Sequence, residues 1–160
     1  MRLPDDIESV VPHRGAMRLV DRVVAVDADS VEAEAEVRAD VPIMEVEGVP
    51  AWVGIEYMAQ TIAAWAGCRA RARGAEPQLG FLLGTRRYEC SVSHFPIGSR
   101  LRIEARCEML GANGLAQFAC RILRDGRELA AANVSVFEPP DAQAFLDAMQ
   151  FTATDRGDER

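Results

Sequence analysis

The stretch PAWVGIEYMAQTIAAWAG, Pro50 to Gly67, puts apolar side chains on every side of a helix and contains one charged residue, Glu56. A helix without a polar face must be covered all round, so the remainder of the chain has to wrap it. Arg69, Arg71 and Arg73 follow and complement the negative end of the helix dipole, and Gly74 supplies a stop, which predicts a helix over Pro50 to Arg73. The apolar run has about the minimum length of a membrane span. A central carboxylate, however, costs roughly 2.5 to 3.5 kcal/mol on an insertion scale, so no span is expected.

What precedes and follows the helix reads mainly as strands. Met17 to Ala28 is rich in Val and Leu, and VEAEAEVR alternates Val31, Ala33, Ala35 and Val37 against Glu32, Glu34, Glu36 and Arg38, a strand with one wet face. After the helix come Gln78 to Val92 and Arg100 to Leu110; the latter sets Leu101, Ile103, Ala105, Cys107 and Met109 against Arg102, Glu104, Arg106 and Glu108. GANG and RDGR are hairpin turns, because Asn-Gly and Asp-Gly accept positive φ, and they link Leu115 to Leu123 and Glu128 to Phe137 into a meander. LPDDIES is expected to form a short capped helix with Pro4 in its first turn, and Asp141 to Gln150 another. The polar TATDRGDER is expected to be disordered. Two strands, one long helix and a run of antiparallel strands define an α+β chain: a sheet curved around a central helix, with a second subunit across the sheet edge completing the cover.

Composition narrows the function. A chain of 160 residues with 49% hydrophobic content and no linker forms one domain, placed at residues 1–138 with a C-terminal appendage at 139–160. Its net charge of -7, from 25 acids against 18 bases, argues against a nucleic-acid partner. Every base is arginine, which excludes lysine Schiff-base and P-loop chemistry. Cys68, Cys90, Cys107 and Cys120 have no metal-ligand spacing and read as reduced residues of a cytoplasmic protein, and MRLPDDIESV lacks the features of a secretory signal. The two histidines, His13 and His94, make no metal cluster.

VPHRGAMRLVDRV resembles the N-terminal PHR…LLVDRV pattern of the hotdog-fold 3-hydroxyacyl-(acyl carrier protein) dehydratases, and VPAWVGIEYMAQ resembles their helix-start PG…EAMAQ pattern. Order and approximate separation agree over about residues 8 to 138, and the wording PAWVGIEYMAQ is similar to the dehydratase-like proteins of aryl-polyene clusters. The resemblance implies a hotdog fold, a dimer or higher oligomer, an acyl thioester on acyl carrier protein or CoA as ligand, and neither cofactor nor metal. It makes Glu56 the catalytic carboxylate and gives the helix-start backbone, Ala51 and Trp52, to the thioester carbonyl. One departure stands out: the family's histidine before the helix falls on Pro42, and no histidine lies between Arg38 and Glu56. His13 matches PHR, where a structural role for its loop is expected. The letters HFP at His94 come after the helix and are taken as coincidence.

Dehydration of a 3-hydroxyacyl thioester needs a base for the α-proton, an acid for the departing hydroxyl and donors for the thioester oxygen. Glu56 suits the proton work, Gln60 one turn later is placed to orient it, and His13 and Tyr57 are the candidate supporting groups. The competing account of Glu56 is an ion pair with Arg14, Arg18 or Arg22. Three functions remain open: a dehydratase, a non-catalytic or half-site partner of a histidine-containing dehydratase, and a hotdog thioesterase with a lone helix carboxylate. Arginines at 69, 71 and 73, and at 86, 87, 100 and 102, offer themselves to an acidic carrier, or simply form solvated faces.

Overall fold

The computed structural model describes residues 1–154, with side chains as far as residue 150. Strands β1 (Arg22–Val26), β2 (Ser30–Glu36) and β3 (Val49–Pro50) precede a 3-10 turn at Ala51–Val53 that runs directly into helix α1, Gly54–Ala72. Strands β4 (Phe81–Cys90), β5 (His94–Phe95), β6 (Arg100–Leu110), β7 (Leu115–Arg124) and β8 (Arg127–Phe137) follow, then helix α2, Ala142–Thr154. Six strands form one sheet in the order β1-β2-β6-β7-β8-β4, antiparallel throughout, while β3 pairs only with β5.

The strict alternation of the strands becomes a two-faced sheet. In register across it, Ala33, Ile103, Ile122 and Ala130 line up from β2 to β8, all buried against the helix side. On the wet face Arg102 bonds Glu32 at 2.9 Å and Glu34 at 2.8 Å, and Arg121 bonds Glu104. Hydrogen bonding from Arg22 holds the Glu34 carboxyl below its ordinary range despite opposing desolvation. Arg102 is thus engaged in a cross-strand ladder.

Helix α1 lies on the inner face, with Trp65 edge-on to Phe118 at 5.1 Å. Much of the cover that sequence reasoning assigned to a second subunit comes from the chain's own N-terminal segment, where Val10, Val11, Leu19 and Val20 are all buried. That segment approaches closely at Gly67, where a Cβ would stand 2.2 Å from the Val10 carbonyl oxygen. What remains half-covered is one stripe of the helix: Ile55, Glu56, Ala59, Ala63 and Ala66. The helix ends as its sequence implied. Gly74 takes φ +72°, and the Ala75 N–H reaches back to the Ala70 carbonyl at 2.9 Å.

Several boundaries differ from expectation, among them β4, which spans Phe81–Cys90 within the expected Gln78 to Val92. The α-helix begins at Gly54, since Ala51–Val53 is a 3-10 turn. The first strand is confined to Arg22–Val26, because the backbone before it is bound by a side chain of α1, as described below. The N-terminal turn is Ile7–Ser9, capped by Asp6, so Pro4 lies ahead of it. The C-terminal helix continues to Thr154 and docks through Phe145 on Phe81 and Phe137, with ring centroids 5.0 and 5.3 Å apart. The rest of the predicted disordered tail, 155–160, lies outside the described residues. Among the described residues no helix is long and apolar enough to cross a membrane.

The close approach at Gly67 is testable. A methyl group there must displace backbone, so Gly67→Ala is expected to destabilise the protein by about 1 to 3 kcal/mol, read as a lower urea midpoint at unchanged m.

Candidate active site

Gln60 is fully buried and uses its whole amide. Its oxygen accepts from the Leu19 N–H at 2.8 Å and the Val20 N–H at 3.4 Å; its nitrogen donates to the Met17 carbonyl at 2.8 Å and to Glu56 Oε1 at 3.0 Å. Met17, Leu19 and Val20 therefore spend backbone groups on a helix side chain instead of a ladder, which is why the strand predicted from Met17 starts only at Arg22.

The same segment delivers His13. Its Nε2 lies 3.4 Å from Glu56 Oε1, the oxygen that Gln60 also contacts. Its Nδ1 is buried and has no partner among the described residues. Glu56 is 40% exposed, so this chain alone does not give it the fully apolar surroundings that the sequence suggests. Among the described residues it is not tied to an arginine: Arg14 and Arg18 pair with Glu8, each at 3.5 Å, and Arg22 with Glu34.

Glu56 and His13 stand at the rim of a cavity of about 270 Å³ bounded by Ala59, Ala63 and Ala66 of the half-covered stripe and by Phe81 and Phe137 opposite. A neighbouring cavity of about 320 Å³ shares Ile62, Ala66 and Val136 with it and continues to Trp65 and Arg69. Ten helical residues from Glu56 to Ala66 rise about 15 Å, and the small side chains of the stripe leave that length open. An extended apolar chain fits such a space.

Other expected residues fall elsewhere. Tyr57 is fully buried on the core side, edge-on to Phe95 at 6.0 Å, and does not join Glu56. The Ala51 N–H is donated to the Ser93 carbonyl at 2.9 Å and so is not available to a thioester, which corrects its expected role. Trp52 keeps its N–H in the first turn, ahead of any carbonyl of its own helix. Pro42 is exposed and lies outside the Glu56 cavity. His94 pairs with Pro50 in the β3–β5 ladder and bonds Glu45 at 2.8 Å; with Glu47 these three groups place their ligand-type atoms within 4.8 Å, carboxylate company that linear spacing concealed. Sequence reasoning passed over Tyr88 altogether. Its hydroxyl donates to the Ala51 carbonyl, a contact with no local sequence signal.

A long helix held in a curved antiparallel sheet is the hotdog fold, here with a carboxylate on the helix opening into an apolar cavity. The chain belongs to the ApeP-like family, described as ApeP dehydratase, whose family model matches residues 5–147. It is similar to a chain of the dehydratase heterocomplex ApeI:P from Xenorhabdus doucetiae, with 28% identity over 90% of this chain and 97% of that one and a TM-score of 0.82. The fold is shared with the TT0310 protein of Thermus thermophilus (16% identity, 73% and 90% covered, TM-score 0.56). It is shared too with a hypothetical thioesterase solved with coenzyme A from Streptococcus pneumoniae (12%, 73% and 84%, 0.57). No curated protein matches the sequence. The resemblance read from PHR and PAWVGIEYMAQ is thereby borne out.

Two measurements check this local structure. Gln60→Leu would leave the buried Leu19 N–H without its partner, at about 1 to 3 kcal/mol, and a urea titration is expected to show a loss of that order. Burial pushes the Tyr57 phenol from 10.0 up to about 12, so its contribution to stability is complete below pH 10 and is lost as pH rises toward 12. Tyr57→Phe should flatten the fall of the melting temperature in that window.

Proposed function

We propose that this chain is a 3-hydroxyacyl-thioester dehydratase whose proton-transfer groups are Glu56 and His13, acting on an acyl chain presented by an acyl carrier protein or CoA in aryl-polyene or fatty-acid type synthesis. The observation that carries the reading is the convergence of His13 Nε2 and Gln60 Nε2 on one oxygen of Glu56 at the rim of an apolar cavity. The imidazole takes the α-proton of the substrate, the carboxyl gives its proton to the 3-hydroxyl, the C–O bond breaks and water leaves as the double bond forms. Transfer across the 3.4 Å gap from Nε2 to Oε1 then restores the pair. Negative charge gathers on the thioester oxygen during the step, and the Trp52 N–H is the donor assigned to it. Gln60 takes no proton; it fixes Glu56 and the strap bearing His13. A buried unpartnered nitrogen such as His13 Nδ1 is costly to a fold and is more readily understood at a working site than in a structural loop.

The similarity to a chain of a dehydratase heterocomplex supports a second reading, in which a separate dehydratase subunit completes the assembly. An in-chain imidazole beside Glu56 answers part of what the proline at position 42 takes away, so the two readings differ in what the chain does alone. The test is to incubate the chain, without and with a co-encoded dehydratase, with a 3-hydroxyacyl carrier thioester and follow the enoyl product by mass spectrometry.

Glu56→Gln and His13→Gln are each expected to lower turnover by about 10² to 10⁴. The double variant should be no worse than the poorer single one, as befits groups acting as a unit. Turnover within a few-fold of wild type for either variant sinks the paired role. Release of free thiol in place of enoyl product would mark a thioesterase, and activity only in the mixture a half-site partner.

A further inference from the structure

Gly54 is a glycine that its backbone does not require. It has φ -52° and ψ -31°, ordinary helix, where glycine costs about 1 kcal/mol relative to alanine. Space explains it. A Cβ at Gly54 would lie 2.2 Å from Tyr88 Oη, with Ile122 Cδ1 at 3.1 Å and Tyr88 Cζ at 3.2 Å, so the phenol hydroxyl occupies the volume that the missing methyl leaves. From there it donates to the carbonyl of Ala51. Ala51 is held on its other side as well, by its N–H to the Ser93 carbonyl at 2.9 Å. The turn Ala51–Val53 is thus gripped from β4 through Tyr88 and from the β4–β5 connection through Ser93, just ahead of the helix that carries Glu56. Burial raises the Tyr88 phenol well above its ordinary range, so it stays a neutral donor at any working pH.

We infer that Tyr88 is a positioning residue for the thioester site: by clamping Ala51 it holds the Trp52 N–H as a preorganised donor for the substrate's thioester oxygen, and Gly54 exists to admit the clamp. The inference rests on the dehydratase reading above. A donor already in place stabilises charge that appears only in the transition state, so losing its placement lowers kcat and leaves KM nearly unchanged. The clamp moves no proton, and the pH profile of turnover is independent of it.

The experiment compares Tyr88→Phe, Gly54→Ala and the double variant with wild type, in the assembly that shows wild-type turnover, using a 3-hydroxyacyl carrier thioester. Tyr88→Phe is expected to lower kcat roughly 10-fold, short of the 10²- to 10³-fold typical of removing such a donor outright, with KM within two-fold and an unshifted pH profile. Gly54→Ala pushes the hydroxyl off the carbonyl and should give the same defect, while adding it to Tyr88→Phe lowers kcat no further. Amide hydrogen exchange at Trp52 should quicken in all three. A purely structural Tyr88 would lower the melting temperature and leave kcat per folded molecule unchanged, which overturns the inference, as does unchanged Trp52 exchange whatever the activity. Absence of wild-type turnover with every partner tried would sink the dehydratase reading instead, and the exchange measurement would still decide the clamp.

Discussion

The buried amide of Gln60 ties together parts of the molecule that are far apart in the chain. One side chain binds backbone at Met17, Leu19 and Val20 and one oxygen of Glu56, leaving neither its N–H groups nor its carbonyl unused. Each such bond is worth only about 1 kcal/mol net, but a missing partner in a buried site costs more than a made bond gains. The N-terminal segment is therefore held in one register on the helix, and that register brings His13 to Glu56. The fit at Gly67 against Val10 fixes the same segment a little further along α1. Together these two contacts explain how a strap without regular ladder pairing can place an imidazole beside the Glu56 carboxylate.

Where a signal was local, the sequence was readable. Strand β6 occupies Arg100–Leu110 as its alternation required, and the RDGR turn places both Asp125 and Gly126 at positive φ, as a tight hairpin needs. The stop at Gly74 follows from its φ, and Gln60 beside Glu56 follows from helical spacing. Tertiary partners were not readable. Met17–Val20 has strand-like residues, yet a side chain from α1 takes up backbone groups of Met17, Leu19 and Val20, and the sheet is joined only from Asp21 onward. Ala51 starts the apolar stretch, but its N–H is spent on Ser93, which no periodicity reveals. Tyr57 neighbours Glu56 in sequence and points into the core, because adjacent helical residues do not share a face.

The all-round apolar character of α1 has two separate causes. Most of its surface meets the sheet and the N-terminal segment, where large side chains such as Met58, Ile62 and Trp65 fill the interior. In the half-covered stripe, beyond Ile55 and Glu56, the small side chains of Ala59, Ala63 and Ala66 line an open space instead of filling it. Hydropathy alone reports one continuous apolar helix and does not distinguish the covered part of its surface from the cavity wall.

His13 and Glu56 belong to one chain, and this bears on how assembly relates to chemistry. A histidine in the loop before the helix would have to be brought to a carboxylate by whatever positions that loop, and here the loop's Pro42 is exposed and lies outside the Glu56 cavity. The pair observed depends instead on contacts internal to the protomer: Gln60 on residues 17–20, Gly67 on Val10 and the helix itself. Its geometry does not need an interface to exist. The turn opening the helix is different, because one of its two supports is Tyr88 on β4, the strand at the end of the sheet order, and such edges invite pairing with another chain. The proposed proton-transfer pair is thus positioned from within the chain, whereas the proposed thioester donor is supported from an edge strand of the sheet.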